Sequence, residues 1–207
     1  MPTLLQIDSS PRLDDSVTRA LTARFVQLWC AREPDGVVIR RDIGLSPPPH
    51  PDEFTLTAVA LPEDVRDPRQ QAAAALSDRM LEELEAADVV LIGAPMYNFS
   101  VTSGLKAWFD LVSRPGRTFR YGPNGQEGLL SGKKVVAITA RGGFYQQGDG
   151  AGGAEDLQEA LIASFFRFIG LDEVHFIHAE GQAIDAQTAA AQRVQAERDI
   201  DRVLDYQ

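Results

Sequence analysis

The chain has 207 residues, a formal net charge of −10 and 44 % hydrophobic residues, enough to bury a substantial core in one domain, expected to span residues 1–207. Its basic residues are scattered, so it lacks the electrostatic footprint that nucleic acid or an anionic membrane would need, and no apolar run approaches the ~20 residues of a membrane span. The single cysteine, Cys30, falls in a helical pattern and has no disulfide partner; with an N-terminus that lacks a signal-like stretch, this predicts a soluble cytoplasmic protein in which Cys30 serves packing.

Thr3 to Ile7 reads as a short apolar strand, stopped by Ser9-Ser10-Pro11. A helix follows, with Ser16 as N-cap and Val17, Leu21, Phe25 and Leu28 on one stripe. Glu33-Pro34-Asp35-Gly36 makes a turn and Val37 to Ile39 a second strand, a βαβ unit that implies a parallel sheet. Gly44 to Asp67, with three consecutive prolines at Pro47, Pro48 and Pro49, reads as an irregular crossover carrying a short helix near Glu53 to Ala60; such a segment serves as a lid or contact surface, or is a plain surface excursion. A long helix runs from Pro68 to Ala87, burying Ala75, Leu76, Met80, Leu81 and Leu84.

Val89 to Ala94 is an unbroken apolar run rich in β-branched residues, the pattern of a central parallel strand, and Pro95 is expected to end it. Leu105, Trp108, Phe109 and Val112 then recur at helical spacing up to about Arg114. Thr118 to Leu130 reads as a hairpin outside the main sheet, closed by Gly122-Pro123-Asn124-Gly125. Lys134 to Ala140 is a fourth strand, Gly148 to Gly153 a glycine-rich loop suited to gating, and Ala154 to Ile169 a helix with Leu157, Leu161, Phe165 and Phe168 on its stripe, terminated by Gly170. Val174 to Ala179 and Ala186 to Leu204 supply the fifth strand and closing helix.

Three stretches fall where parallel α/β sheets bind ligands, at the carboxyl ends of strands. Ser9, Ser10, Ser16 and Thr18 surround a helix start, where hydroxyls and unpaired backbone N–H groups make an anion site sized for one terminal phosphate, although serines also fill loops and cap helices. Asp14 and Asp15 must then point to solvent. Met96-Tyr97-Asn98-Phe99 suits a flat aromatic ligand, or equally a cap on the local core. Arg141-Gly142-Gly143 permits close backbone approach to a ring, or a plain turn. A Gly-x-Gly-x-x-Gly fingerprint is absent, which argues against a dinucleotide, and nucleophile-elbow, metalloprotease and P-loop signatures are absent too. His175 and His178 lie an odd number of residues apart in a strand and face opposite ways, so no metal site is expected.

Taken together, Ser9-Ser10 with Ser16-Val17-Thr18, Ala94 to Phe99, Leu105-Lys106, Thr118 to Tyr121, Gly132-Lys133-Lys134, Arg141-Gly142-Gly143, and Phe168-Ile169-Gly170 with Ala179-Glu180-Gly181 resemble the FMN-dependent NADH:azoreductase and quinone oxidoreductase family. The resemblance covers nearly the whole chain and implies a flavodoxin-like, doubly wound five-stranded parallel sheet of order 2-1-3-4-5, with helices on both faces. It implies FMN, bound non-covalently, with Ser10, Ser16, Val17 and Thr18 around its phosphate and Met96, Tyr97, Asn98, Phe99, Ala140, Arg141, Gly142 and Gly143 around its ring, and a substrate pocket involving Phe119, Tyr121 and Phe165. Hydride would pass from NADH through flavin N5 to quinones or azo compounds by a ping-pong mechanism, with no dedicated catalytic side chain. A homodimer with active sites at its interface is also implied, the Pro47 to Asp67 segment, Phe119 to Tyr121 and the Phe165-Phe166 pair being candidates to cross over. A one-electron flavodoxin-like carrier and an NADPH-preferring quinone or nitro reductase of the same fold are the alternatives. Two departures stand out: Ala140 replaces a serine common before Arg-Gly-Gly, and Ala160-Leu161 replaces a Pro-Tyr pair in a region that shapes the family's substrate pocket.

Overall fold

The computed structural model describes residues 1–123, 125–145 and 156–205. Asn124 of the hairpin turn, the Gly148–Gly153 loop and the first residues of the helix expected from Ala154 lie outside that range. In chain order the elements are β1 (Thr3–Asp8), α1 (Val17–Arg32), β2 (Val37–Asp42), α2 (Glu53–Ala60), α3 (Pro68–Ala86), β3 (Val89–Pro95), α4 (Ser103–Val112), β4 (Phe119–Gly122), β5 (Gly125–Gly128), β6 (Lys134–Ala140), α5 (Leu157–Ile169), β7 (Val174–Ala179) and α6 (Ala186–Asp205).

Five strands form one parallel sheet in the order β2-β1-β3-β6-β7, and β4 and β5 pair antiparallel as a separate ribbon. Setting the ribbon aside, this is the expected order 2-1-3-4-5. The apolar runs of β1, β3 and β6 are explained by burial on both faces. On one side, Leu21, Phe25 and Trp29 of α1 and Ile200 and Leu204 of α6 cover Leu4, Leu91 and Val136. On the other, residues of α3, α4 and α5, among them Met80, Trp108 and Phe166, cover Leu5, Val90 and Val135. The chain runs from β1 outward to β2 and then back across to β3, so the loops after β1 and β3 diverge and leave a crevice between them.

Some expected details differ. Pro95 ends β3 from inside, in register with Ala140. By the alternation of strand N–H groups its ring nitrogen faces the β1 side, where β1 has already stopped opposite Gly93 and no ladder partner is needed, while the next residue, Met96, donates its N–H to Ala140 O at 2.9 Å. The buried stripe of α5 is Gln158, Ile162, Phe165, Phe166 and Ile169, leaving Leu157 50 % exposed. Apolar counting misplaces it because Gln158 is buried through hydrogen bonds and Phe168 turns to pack on Phe119 of the ribbon, ring centroids 4.5 Å apart. In α3, Ala74 and Ser77 take the buried places expected for Ala75 and Leu76; the Ser77 hydroxyl donates to Leu111 O at 2.6 Å and accepts from Arg114. Cys30 is exposed, so it does not serve packing.

One close approach shapes the loop after β1. A side chain at Gly44 would place its Cβ 2.0 Å from the Ser10 carbonyl oxygen, and that same carbonyl accepts two hydrogen bonds from Arg19, at 3.1 and 2.6 Å. The carbonyl is backbone and cannot yield as a chain end would, and the Arg19 guanidinium, which the Cβ would meet at 2.9 Å, is held in place by Asp42. Gly44→Ala is therefore expected to cost about 1–3 kcal/mol and to lower Tm by about 2–4 °C for each kcal/mol lost; a calorimetric Tm equal to the parent's would show that the loop can slide away.

Candidate active site

At the first end of the crevice, α1 begins where Ser16 leaves the helical region and its Oγ accepts from Arg19 N at 3.4 Å. The same hydroxyl donates to Ser10 Oγ at 2.9 Å and lies 3.5 Å from Thr18 Oγ1, while Ser10 Oγ accepts from Arg12 N at 3.3 Å. Three hydroxyls thus cluster over the start of α1, where the N–H groups of Val17 and Thr18 have no acceptor within the helix and its dipole favours negative charge. Ser9 belongs elsewhere: its Oγ donates to Gly93 O at 2.8 Å, a tie between β1 and β3. Asp14 is exposed as the anion reading requires; Asp15, exposed and with a left-handed φ of 57°, lies on the groove itself beside Ser16, so its carboxylate opposes an anion there. Arg19 forms a two-pronged ion pair with Asp42, both contacts at 2.7 Å, which holds the Asp42 carboxyl below the usual range. Beneath the nest, burial pushes Asp8 up despite a hydrogen bond from Thr22.

At the other end, Tyr97 and Ser100 exchange backbone hydrogen bonds at 2.9 and 3.1 Å around Asn98 and Phe99, whose φ values of 49° and 69° are both left-handed. Asparagine tolerates this conformation; a bulky aromatic does so under strain. Tyr97 and Phe99 are nevertheless 41 % and 49 % exposed. Facing them, the carbonyls of Arg141, Gly142 and Gly143 accept from Gln182 N, Ala183 N and Gly181 N at 2.9, 3.1 and 2.9 Å. Neither Gly142 nor Gly143 has a left-handed φ, and a Cβ on either would meet only ordinary contacts, Ala183 Cβ at 3.4 Å and the Tyr145 ring at 3.5 Å. The protein's own packing does not demand glycine at either position. What a Cβ would fill is the bare surface of the cleft.

Ser10, Ser16, Val17, Thr18, Met96, Tyr97, Ala140, Arg141 and Gly142 line one groove, with Asn98, Phe99 and Gly143 adjoining it in sequence. Arg12 and Gln182 also line it and carried no sequence signal beyond their neighbours in the chain. Its roughly 160 Å³ is below the ~300–1,000 Å³ of a pocket that encloses its ligand, so a flat ligand held there keeps a face outward. Arg141 contributes main chain only. Its guanidinium is fully buried, 2.5 Å from Asp156 Oδ2 and 3.4 Å from Glu180 Oε1. Phe119, Tyr121 and Phe165 are not on this groove: Phe119 packs on Phe168, Tyr121 is 77 % exposed on the ribbon, and Phe165 stacks on Phe109 with centroids 3.9 Å apart. Phe165 and Phe166 are core residues of their own chain and cannot cross an interface.

Residues 2–204 match a family described as having a flavodoxin-like fold. An FMN-dependent NADH:quinone oxidoreductase of Herminiimonas arsenicoxydans is 46 % identical over 187 residues, 90 % of this chain and 91 % of that one. FMN-dependent NADH:quinone oxidoreductase 2 of Pseudomonas putida is 45 % identical over 181 residues, 87 % of this chain and 88 % of its own length. The chain belongs to the FMN-dependent NADH:quinone oxidoreductase family. The shared fold is also seen in an azoreductase from Bacillus anthracis str. Sterne, TM-score 0.87 at 24 % identity over 98 % of each chain. An FMN-dependent NADH-azoreductase from Bacillus anthracis str. Ames Ancestor, solved in complex with FMN, matches with TM-score 0.84 at 22 % identity, covering 98 % of this chain and 99 % of its own.

In this oxidoreductase the left-handed Phe99 can be tested apart from catalysis. Phe99→Gly relieves about 1–2 kcal/mol of steric strain against about 0.5–1 kcal/mol of glycine entropy, so Tm is expected to hold or rise slightly; a clear drop would mean that packing, not strain, dominates at the turn.

A second test uses His178, whose Nδ1 accepts from Thr139 Oγ1 at 2.7 Å and whose Nε2 donates toward Glu159 Oε2, 3.3 Å away. Burial and the Arg141 charge push it down to about 4, so at neutral pH this contact is a hydrogen bond from a neutral ring, not an ion pair. The unfolded chain takes up this proton near 6.5 and the folded one only near 4, so the stabilising contribution is complete above 6.5 and is lost as pH falls toward 4. Glu159 works the other way, because burial pushes its carboxyl up. Between about pH 7 and about pH 4.5 the parent should lose more stability than His178→Gln, which keeps Glu159; equal losses in denaturant titrations would contradict this assignment.

Proposed function

We propose that the protein binds FMN in this groove and uses it to reduce quinones and azo compounds with NADH. The observation that carries the reading is a hydroxyl nest at a helix start and a glycine-backed cradle at two strand ends, joined along one open groove at the switch point of the sheet. Ser10, Ser16 and Thr18, with the first-turn N–H groups of Val17 and Thr18, would hold the terminal phosphate, and Arg12 adds positive charge at the rim. Met96 to Phe99 and the main chain of Ala140 to Gly143 would hold the ring between them. FMN held there by these residues would supply the hydride-transfer chemistry. The protein contributes position and polarity.

Because the groove is shallow, it offers one open face to planar partners. Nicotinamide and acceptor then use it in turn, and Tyr97 and Phe99 form its aromatic rim. The exposed apolar side chains Leu45, Phe54 and Leu56, in and beside α2, support a homodimer that walls this face. Of the three aromatics proposed for the substrate pocket, Tyr121 is the one with an exposed ring and would contact a substrate only from the ribbon, off this groove; Phe119 packs against it, and Phe165 would act through the packing of α5.

Purified protein is expected to release FMN on heating, close to one per chain. Gly142→Val should weaken FMN binding by about tenfold or more while leaving Tm near the parent's, since its Cβ meets no backbone. Varying NADH at several fixed quinone concentrations should give parallel double-reciprocal lines. Release of FAD would overturn the single-phosphate site, and intersecting lines would mean that donor and acceptor bind together.

A further inference from the structure

Behind the groove, where no ligand reaches, lies a buried polar group that the reading above leaves unused. Gln158, in the first turn of α5, is fully buried. Its Nε2 donates to Ala94 O at 3.0 Å, one residue before the Pro95 that ends β3, and its Oε1 accepts from Arg141 Nε at 3.2 Å, one residue after the end of β6. A carboxamide can donate to a carbonyl and accept from a guanidinium at once without any change of ionisation, and these partners leave one orientation for the amide. We propose that Gln158 is a positioning residue for FMN: it spans the ends of β3 and β6 from behind and sets the spacing of the two loops that hold the ring. The proposal rests on the placement of FMN in the groove.

The β3–β6 ladder runs out at Pro95 and Ala140, and beyond it Met96 N donates to Ala140 O. The Gln158 bridge adds a side-chain contact to this main-chain pairing, and the far end of that bridge is itself anchored. Asp156 caps α5, accepting from Glu159 N at 3.0 Å, and contacts Arg141 at 2.5 Å; Glu180 contacts Arg141 at 3.4 Å and accepts from Tyr145 N at 2.8 Å. Helix start, two strand ends and the loop after β7 are thereby tied to one guanidinium. A ligand-holding constellation has to be kept to within about 0.5 Å of its working geometry, and loops reach that only when buried hydrogen bonds lock them.

The test compares the parent with Gln158→Met, which keeps the volume and loses both hydrogen bonds, and with Gln158→Glu. FMN affinity is read by quenching of flavin fluorescence and ring environment by the visible absorption of the bound flavin at saturation, at about pH 8 and about pH 5.5, well below the Tm of each protein. Gln158→Met is expected to raise the FMN Kd about tenfold at both pH values and to shift the bound spectrum. Gln158→Glu should match that loss at the higher pH, where a carboxylate oxygen faces Ala94 O. At the lower pH it should recover to within about threefold of the parent, because a protonated carboxyl donates its O–H to Ala94 O and still accepts from Arg141 Nε. A role in stability alone would lower Tm but leave the affinity and spectrum of the folded variants like the parent's, and that result overturns the proposal. So does a Gln158→Glu defect that is no smaller at low pH. If Gln158→Met does not fold, the Gln158→Glu series decides. A parent chain that binds no FMN would overturn the cofactor reading and this proposal with it, whereas a parent that binds and a Gln158→Met variant that binds equally well would overturn this proposal alone.

Discussion

The structure depends on β3 being paired on both sides and apolar on both faces. Its register with β1 and β6 brings three strand ends to the same edge of the sheet, so the loops that follow them must share a small space. Burial on both faces stabilises β3 strongly, at about 25 cal/mol for each Å² of apolar surface removed from water. The ends of the strands have no such support: they are polar, they diverge, and side-chain hydrogen bonds must hold them. Ser9 on Gly93 O and Gln158 on Ala94 O are two such bonds at consecutive residues of the same strand, one from each neighbouring side. These hydrogen bonds at the back of the site are made within the protein, which leaves the groups at its front available to a ligand.

Charge is arranged on the same principle. The net charge of −10 is a poor starting point for binding a phosphate, and the chain offsets it locally. Arg19 sits beside the hydroxyl nest but is committed to Asp42 and to the Ser10 carbonyl, so it fixes the shape of the loop more than it supplies charge to a ligand. Attraction for an anion would then come from the helix start and the hydroxyls, contributions that do not depend on ionisation near neutral pH. At the β6 end of the groove the buried Arg141 is surrounded by Asp156, Glu159 and Glu180. A lone buried guanidinium would cost several kcal/mol; among carboxylates it becomes an anchor whose backbone can be aimed at the groove.

Much of this was legible in the sequence. The central strand, the fourth and fifth strands, the short helix in the proline-rich crossover and the Ser16 cap were all readable, because each rests on a local rule: an apolar run, a cap residue or a glycine stop. The locations of the three ligand-type loops followed from the βα order alone. The direction of the Arg141 side chain was not readable. An arginine beside two glycines at a strand end suggests a ligand contact, and only the positions of Asp156 and Glu180, distant in sequence, turn it inward. Gln158 was hidden for a related reason, since a glutamine between Leu157 and Glu159 in the first turn of a helix looks like a solvent-facing position until its two partners are known. The stripe of α5 was misread by the same rule that worked for α4, because α5 is apolar on two sides and packs against both the core and the ribbon.

The turn after β3 shows why such a site can be both strained and well ordered. Asn98 and Phe99 take left-handed conformations in succession, and Asn-Gly would satisfy that geometry with less strain. The chain has phenylalanine in the second place, exposed to nearly half its area, where it adds little to its own core. The strain is supported from outside the turn, by Met96 N on Ala140 O and by the paired backbone bonds of Tyr97 and Ser100, which leave the two central residues no other path. An aromatic ring held at a groove edge by backbone geometry, with little packing beneath it, has one face available for contact. Strain of about 1–2 kcal/mol is small beside the burial that stabilises β3, and it can persist because the strand beneath cannot shift to relieve it.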